Sequence, residues 1–204
     1  MNLSRRASLA LVARVVGDAL RRYGIRAVLG GGACANVYSS GRYQSADVDF
    51  VLSGNITQER LDEAMASVGF KRSGDRFAHP RLSFFVEFPR GPLAIGSDYK
   101  IRPIEWRSGR LRLLGLSATD SCRDRLAAFY HWNDRQSLKT AVMIASRNRV
   151  NLSLIRRWSM EEGAASRFEE FLEALERARA RRRRAGAQGR SRSAGRARST
   201  DPRR

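Results

Sequence analysis

Residues 28–52 read VLGGGACANVYSSGRYQSADVDFVL, and the order of features in this stretch sets the fold. A short apolar run, Ile25 to Leu29, enters Gly30, Gly31 and Gly32, as a strand does where it turns tightly into a helix. The small residues Ala33 to Asn36 open that helix, which extends only to about Ser39 before the polar loop SSGRYQSA at 39–46. DVDFVL at 47–52 then alternates as a strand. Successive strand side chains point to opposite faces, so Asp47 and Asp49 share one face and Val48 and Phe50 the other. Two carboxylates are aimed at one place.

Upstream, Leu9, Val12, Val15, Val16 and Leu20 recur at three and four, the stripe of an amphipathic helix that Gly24 ends. Downstream, Thr57 opens a helix to about Ser67, with Gly69 as its stop. Three extended runs follow: FKRSGDRFAH, LSFFVEF, and IRPIEWRSGRLRLL, the last split by a turn at Ser108-Gly109. From Ala118 onward the spacing predicts helices over 119–131, 135–147, 152–161 and 165 to about 183. Strands clustered early and helices clustered late predict an α+β fold with a C-terminal helical region. The expected division is a core at 1–116, a helical region packed on it at 117–180, and a disordered Arg-rich tail at 181–204.

In LSFFVEF the same alternation sends Phe84, Val86 and Phe88 to one side and Phe85 and Glu87 to the other. An acid in an otherwise apolar strand is costly to bury unless it is paired or metal-bound. If this strand neighbours DVDFVL, then Asp47, Asp49 and Glu87 form an all-oxygen cluster suited to one or two Mg²⁺ ions. A pair of such ions about 4 Å apart serves phosphoryl chemistry by activating an attacking oxygen and stabilising a leaving one. The bland alternative is a pair of aspartates solvating a strand edge. The glycines favour the first reading, because a Gly-rich turn into a helix lets backbone N–H groups approach phosphates. Gly30-x-Gly32-x-x-Ala35 also fits the loose dinucleotide fingerprint, with acids roughly 17 to 19 positions on. Against this rival, the helix is short for a crossover and no further alternating strand and helix units follow.

Strand, glycines, short helix, polar loop and Asp-x-Asp on the next strand resemble the nucleotidyltransferase superfamily related to DNA polymerase beta. The tract is similar to minimal bacterial members, including toxin nucleotidyltransferases of abortive-infection and toxin–antitoxin systems. The resemblance covers residues 25–90, and more loosely the helical part to about 175. It implies a mixed β-sheet core flanked by helices, metal held by Asp47 and Asp49 with Glu87 as third carboxylate, and a nucleotide bound by Gly30, Gly31 and Ser45. It also implies transfer of a nucleoside monophosphate from an NTP such as ATP to an acceptor: an RNA or tRNA 3′ end, a protein hydroxyl or a small molecule such as an aminoglycoside. An antitoxin protein is an implied partner. Toxin-type relatives carry a Lys and then an Asp in a helix after the sheet; here DSCRDRLAAFYHWNDRQSL offers Arg123, Arg125 and Asp134, with no Lys before Lys139. Arginine binds a triphosphate by a bidentate fork but does not replace Lys as a general base. Arg123 and Arg125 are therefore the expected triphosphate ligands.

The chain has 39 basic and 20 acidic residues, a net charge of +19, and 36 of the basic residues are Arg. Residues 177–204 carry +11 and the rest +8. Arg enrichment of this kind reflects base composition as much as function, so it marks no site by itself. The charge does favour polyanionic partners such as RNA, with the tail as an electrostatic arm. It also sustains a rival reading: a non-catalytic nucleic-acid-binding protein that uses the fold as scaffold and the tail for binding. No apolar run approaches the roughly 18 residues of a spanning helix, and no signal-peptide pattern is present, so the expected location is cytoplasmic, without a membrane partner. Cys34 and Cys122, without metal-ligand spacing, read as small buried apolar residues. Trp106, Trp132 and Trp158 read as core, and His131 as packed or surface rather than catalytic.

Overall fold

The computed structural model describes residues 3–89 and 91–197, with side chains through residue 184. Helix α1 (Leu9–Arg22) begins at Ser8, whose hydroxyl accepts a hydrogen bond from the Leu11 N–H, and buries Val12, Val15, Val16 and Leu20 as its spacing requires. It packs on β1 (Arg26–Leu29). The glycines lead into α2 (Gly31–Tyr38), and the acidic strand is β2 (Asp47–Ser53). Helix α3 (Gln58–Ala66) follows, capped by Thr57. The first extended run folds back on itself as the hairpin β3 (Lys71–Ser73) and β4 (Arg76–Ala78). LSFFVEF contributes only β5 (Phe85–Glu87), and the third run is the hairpin β6 (Ile104–Ser108) and β7 (Leu111–Gly115).

The strands form one mixed sheet in the order β3-β4-β5-β2-β1-β7-β6. Strands β1 and β2 are antiparallel, with Leu29 opposite Phe50. That pairing excludes the dinucleotide reading of the glycines, which needs a parallel crossover. Strand β2 instead pairs in parallel with β5, and α3, β3 and β4 make the connection.

Four helices follow: α4 (Ala118–Trp132), α5 (Arg135–Arg147), α6 (Leu152–Glu161) and α7 (Ala165–Ala197). Helix α4 packs on α2 and α5, and α7 lies on α5. Phe129, Phe168 and Phe171 are fully buried here, as Phe50 and Phe70 are in the sheet half. Each such phenylalanine stabilises the fold by roughly 1.5–3 kcal/mol.

One expectation needs correction. Trp132 is 76% exposed rather than core. It lies two residues, about 200° of helix, from the buried Tyr130, and it ends α4 just before Asn133 in left-handed conformation. The backbone of α7 extends as helix to Ala197. Phe168, Phe171 and Leu175 are its buried anchors, and beyond them Ala and Arg, both good helix formers, carry it through Arg184. Of the tail expected at 181–204, residues 198–204 and all side chains from 185 lie outside the described residues.

Candidate metal centre

The parallel pairing of β2 with β5 places Asp49 opposite Glu87 and Asp47 opposite Phe85. Val48, Phe50 and Val86 are fully buried on the reverse face, so register is fixed by the core and every acid must turn the other way. Asp47, Asp49 and Glu87 each offer a carboxylate oxygen within 4.8 Å of the others, all three half-buried. The Ser45 hydroxyl donates to Asp47 Oδ1 at 2.8 Å, holding that carboxylate.

Beside them stands the glycine turn. Gly30 caps α2 without a side chain, and the first N–H groups of the helix lack intrahelical partners. Gly31 has φ +54°, and a Cβ there would fall 3.1 Å from Asp49 Cγ and inside van der Waals contact of its Oδ2. Only glycine lets the helix start against the Asp49 carboxylate. At Gly32, a Cβ would press on Ser45 Oγ, 3.0 Å from Ser45 Cβ and 3.2 Å from the Tyr43 ring. Gly30 differs: its nearest neighbour to a Cβ is Leu116 Cδ1 at 4.0 Å.

The local field is strongly negative. Burial, then the Asp47 and Glu87 carboxylates, push Asp49 up to about 6, with Arg125 opposing and Asp124 adding. A cation is what such a cluster lacks, and an all-oxygen donor set suits a hard divalent ion.

The two arginines of α4 part company. Arg125 binds Asp124 Oδ2 through Nε at 3.1 Å and Nη2 at 2.7 Å, and its charge acts on Asp49 and Tyr43. Arg123 turns to the other side of the helix: it is 3% exposed, pairs with Asp98 and Asp120, and lies over the Trp158 ring at 4.9 Å. Residues two apart on a helix are rotated by about 200°, so both could not face the acids. Arg123 thus braces α4 against α6 and the 97–100 loop. Asp134 caps α5, accepting from the Gln136 and Ser137 N–H groups, and Lys139 lines a groove between α5 and α7. His131 is a surface residue bonded to Glu162, and both cysteines are buried. Tyr43 and Asp124 were not singled out by sequence reasoning; an aromatic inside an otherwise polar loop was the available signal for the first.

No protein-family model matches the chain, and no curated protein matches it in sequence. In structure it is similar to an antigenic nucleotidyltransferase-like protein from Paracoccidioides brasiliensis, known from a crystal structure. The two share a TM-score of 0.59 and 15% identity, over 86% of this chain and 95% of that one. The chain therefore shares the fold of that protein, and its described residues include an acidic group, Asp47, Asp49 and Glu87, that could hold a metal ion. No helix among the described residues is long and apolar enough to cross a membrane.

Proposed function

We propose that the chain is a metal-dependent nucleotidyltransferase that moves a nucleoside monophosphate from an NTP such as ATP to an acceptor hydroxyl, that of an RNA 3′ end or a protein side chain. The observation that carries the reading is the convergence of Asp47, Asp49 and Glu87 within 4.8 Å, against the start of a glycine-opened helix. The donor set fits Mg²⁺, which Asp47, Asp49 and Glu87 would hold and which, when bound, supplies charge neutralisation for phosphoryl transfer. Ser45 orients Asp47. The free N–H groups at Gly31 and Gly32 offer donors to the triphosphate, and Arg125 adds positive charge on the same side. The acceptor oxygen bonds to the α-phosphorus, pyrophosphate leaves, and a carboxylate of the triad takes the hydroxyl proton. A role as the toxin of a two-component pair, held in check by a partner protein, belongs to the same reading.

A second reading, a non-catalytic nucleic-acid binder, draws on the +19 charge. It gives the three converging acids no purpose. The test is to incubate the protein with Mg²⁺ and each labelled NTP against total RNA, total protein and an aminoglycoside panel. Label in one fraction, abolished by Asp49→Asn, is expected. No label in any fraction, with RNA retained on the protein, would favour the binder.

A further inference from the structure

The three longest stretches of this chain without a carboxylate are residues 19–46, 135–160 and 177–200. They are far apart in sequence, yet the fold brings them to one corner. The Asn148 side chain at the end of α5 donates to the Tyr38 carbonyl at the end of α2, at 2.9 Å. From there the 39–46 loop, carrying Arg42, leaves for Asp47. Helix α7 crosses the same end of α5, where Arg179 donates to the Ala145 carbonyl at 3.3 Å and Arg182 to the Ser146 carbonyl. Arg42, Arg147 and Arg149 are exposed at this junction. Their guanidinium groups make no ion pair or hydrogen bond among the described residues, whereas Arg135, Arg156 and Arg177 nearby each find a glutamate. Burial, and then the charges of Arg42 and Arg182, hold Arg147 below the ordinary arginine range.

Compensation of helix C-termini accounts for part of this arrangement. Arg179 and Arg182 bind the last carbonyls of α5, as cations do at a C-terminal dipole. It accounts in part for Arg147, the cation in the last turn of α5, but not for Arg42 and Arg149, which join it without a carbonyl or carboxylate to bind. Like charges left facing each other oppose folding unless an anion joins them, and several phosphates in a row fit several guanidinium forks. A polymer fits better than a single ion, because the arginines lie on three separate elements and continue along α7 through Arg181, Arg183 and Arg184.

We infer that the junction of α2, α5 and α7, through Arg42, Arg147 and Arg149 with Arg182 beside them, is a docking surface for the phosphodiester backbone of a single-stranded nucleic acid. Arg42 is five residues from Asp47, a reach of at most about 18 Å even for an extended chain. A strand held here lies close enough to present its end to the acids. Only this last step rests on the nucleotidyltransferase reading; the binding surface does not.

The test is fluorescence anisotropy on the full chain with a labelled single-stranded RNA, a DNA of the same sequence, and phosphatidylserine vesicles as a third arm. Salt is varied from about 50 to 200 mM, where each phosphate contact adds about 0.7 to the slope of log K on log salt. The triple variant Arg42→Ala, Arg147→Ala, Arg149→Ala is expected to lose about two units of slope. The matching triple Lys variant should keep the slope, since backbone contact needs charge more than geometry. The control, Arg72→Ala with Arg107→Ala, removes arginines already paired with Asp62 and Glu105 and should change nothing. An unchanged slope in the triple Ala variant, an equal loss in the control, or dependence on these arginines for vesicles but not for either nucleic acid would overturn the inference. RNA and DNA binding alike would assign the surface to the shared backbone, and preference for RNA would add contacts to the 2′-hydroxyl. Asp49→Asn should bind as wild type does, so loss of label transfer with binding intact speaks to catalysis alone.

Discussion

Replacing Gly31 by alanine tests whether the glycine turn exists to let a helix begin against a metal ligand. Two costs follow from the structure. Gly31 sits at φ +54°, where an L-residue with a Cβ loses about 1–2 kcal/mol. The new Cβ also falls 3.1 Å from Asp49 Cγ and overlaps its Oδ2, so the carboxylate must leave its rotamer at a further cost of roughly 0.5–1.5 kcal/mol. For a chain of this length each kcal/mol lowers the melting temperature by about 2–4 °C, so Gly31→Ala should melt about 5–10 °C early. Displacing a ligand should also weaken Mg²⁺ binding by about 10- to 100-fold, the range seen when the groups that orient ligands are removed. Gly30→Ala is the internal comparison. Its extended backbone accepts any residue and its nearest neighbour is 4.0 Å away, leaving only a lost cap preference of about 0.5 kcal/mol. The decisive measurement is a double-mutant cycle by thermal melting with Asp49→Ala. Once the carboxylate is gone, Gly31→Ala should cost only its backbone part, leaving a coupling of about 1 kcal/mol. Equal effects at Gly30 and Gly31, or strict additivity with Asp49→Ala, would refute the reasoning.

Further outcomes are expected along the same lines. Asp49 is raised to about 6, above its unfolded value near 3.9, so its protonation stabilises the fold below about pH 4 and that stability is lost as pH rises through about 6; after allowance for partial exposure the loss is about 1–2 kcal/mol. Mg²⁺ should therefore raise the melting temperature near pH 7.5 far more than near pH 5, and Asp49→Asn should flatten that pH dependence; a wild-type pH profile in this variant would remove Asp49 as its source. Asp47→Asn should abolish nucleotide transfer while leaving the apo protein at least as stable, because clustered like charge is relieved; transfer at the wild-type rate would refute a metal role. Arg123→Ala should destabilise by about 1–3 kcal/mol, since it leaves Asp98 and Asp120 without their shared cation, whereas Arg125→Ala should raise the KM for NTP at a smaller cost in stability. Reversed effects of the two substitutions would exchange their roles.

Reading the sequence reached the acidic site because the governing signal is local. Val48 and Phe50 must face the core, which alone turns Asp47 and Asp49 outward, and Glu87 betrays itself as an acid between Val86 and Phe88. Alternation does not give strand direction, however, and the antiparallel pairing of β1 with β2 is a property of topology. The separation of Arg123 from Arg125 was available without a structure: once 119–131 is read as helical, two residues apart cannot share a face. Trp132 follows the same rule relative to Tyr130. The cationic junction of α2, α5 and α7 was beyond reach, because each acid-free stretch is unremarkable alone and only the packing of α7 across α5 makes them one surface. Asp124 escaped for a related reason, its place beside Arg125 near the acids being set by α4 packing on α2.

The charge distribution itself argues that the acids are kept for something they bind. This chain has 39 bases and 20 acids, so a carboxylate placed almost anywhere on its surface would find an arginine. Asp18, Asp62, Glu105 and Glu170 all do. Asp47, Asp49 and Glu87 do the opposite: among the described residues none of them forms an ion pair, they face one another within 4.8 Å, and Arg125, whose charge acts on Asp49, is bonded to Asp124. The arrangement works against folding at neutral pH, as the raised Asp49 carboxyl records. Packing does not require it, since Asn or Ser at the same positions would leave Val48, Phe50 and Val86 in place. The residue that most needs explanation beside them, Gly31, accommodates the Asp49 carboxylate where any Cβ would displace it. A cost in both charge and backbone freedom, met at one point in a chain rich in unpaired cations, is offset when a divalent cation occupies that point, and an acceptor drawn in by the arginines would meet it there.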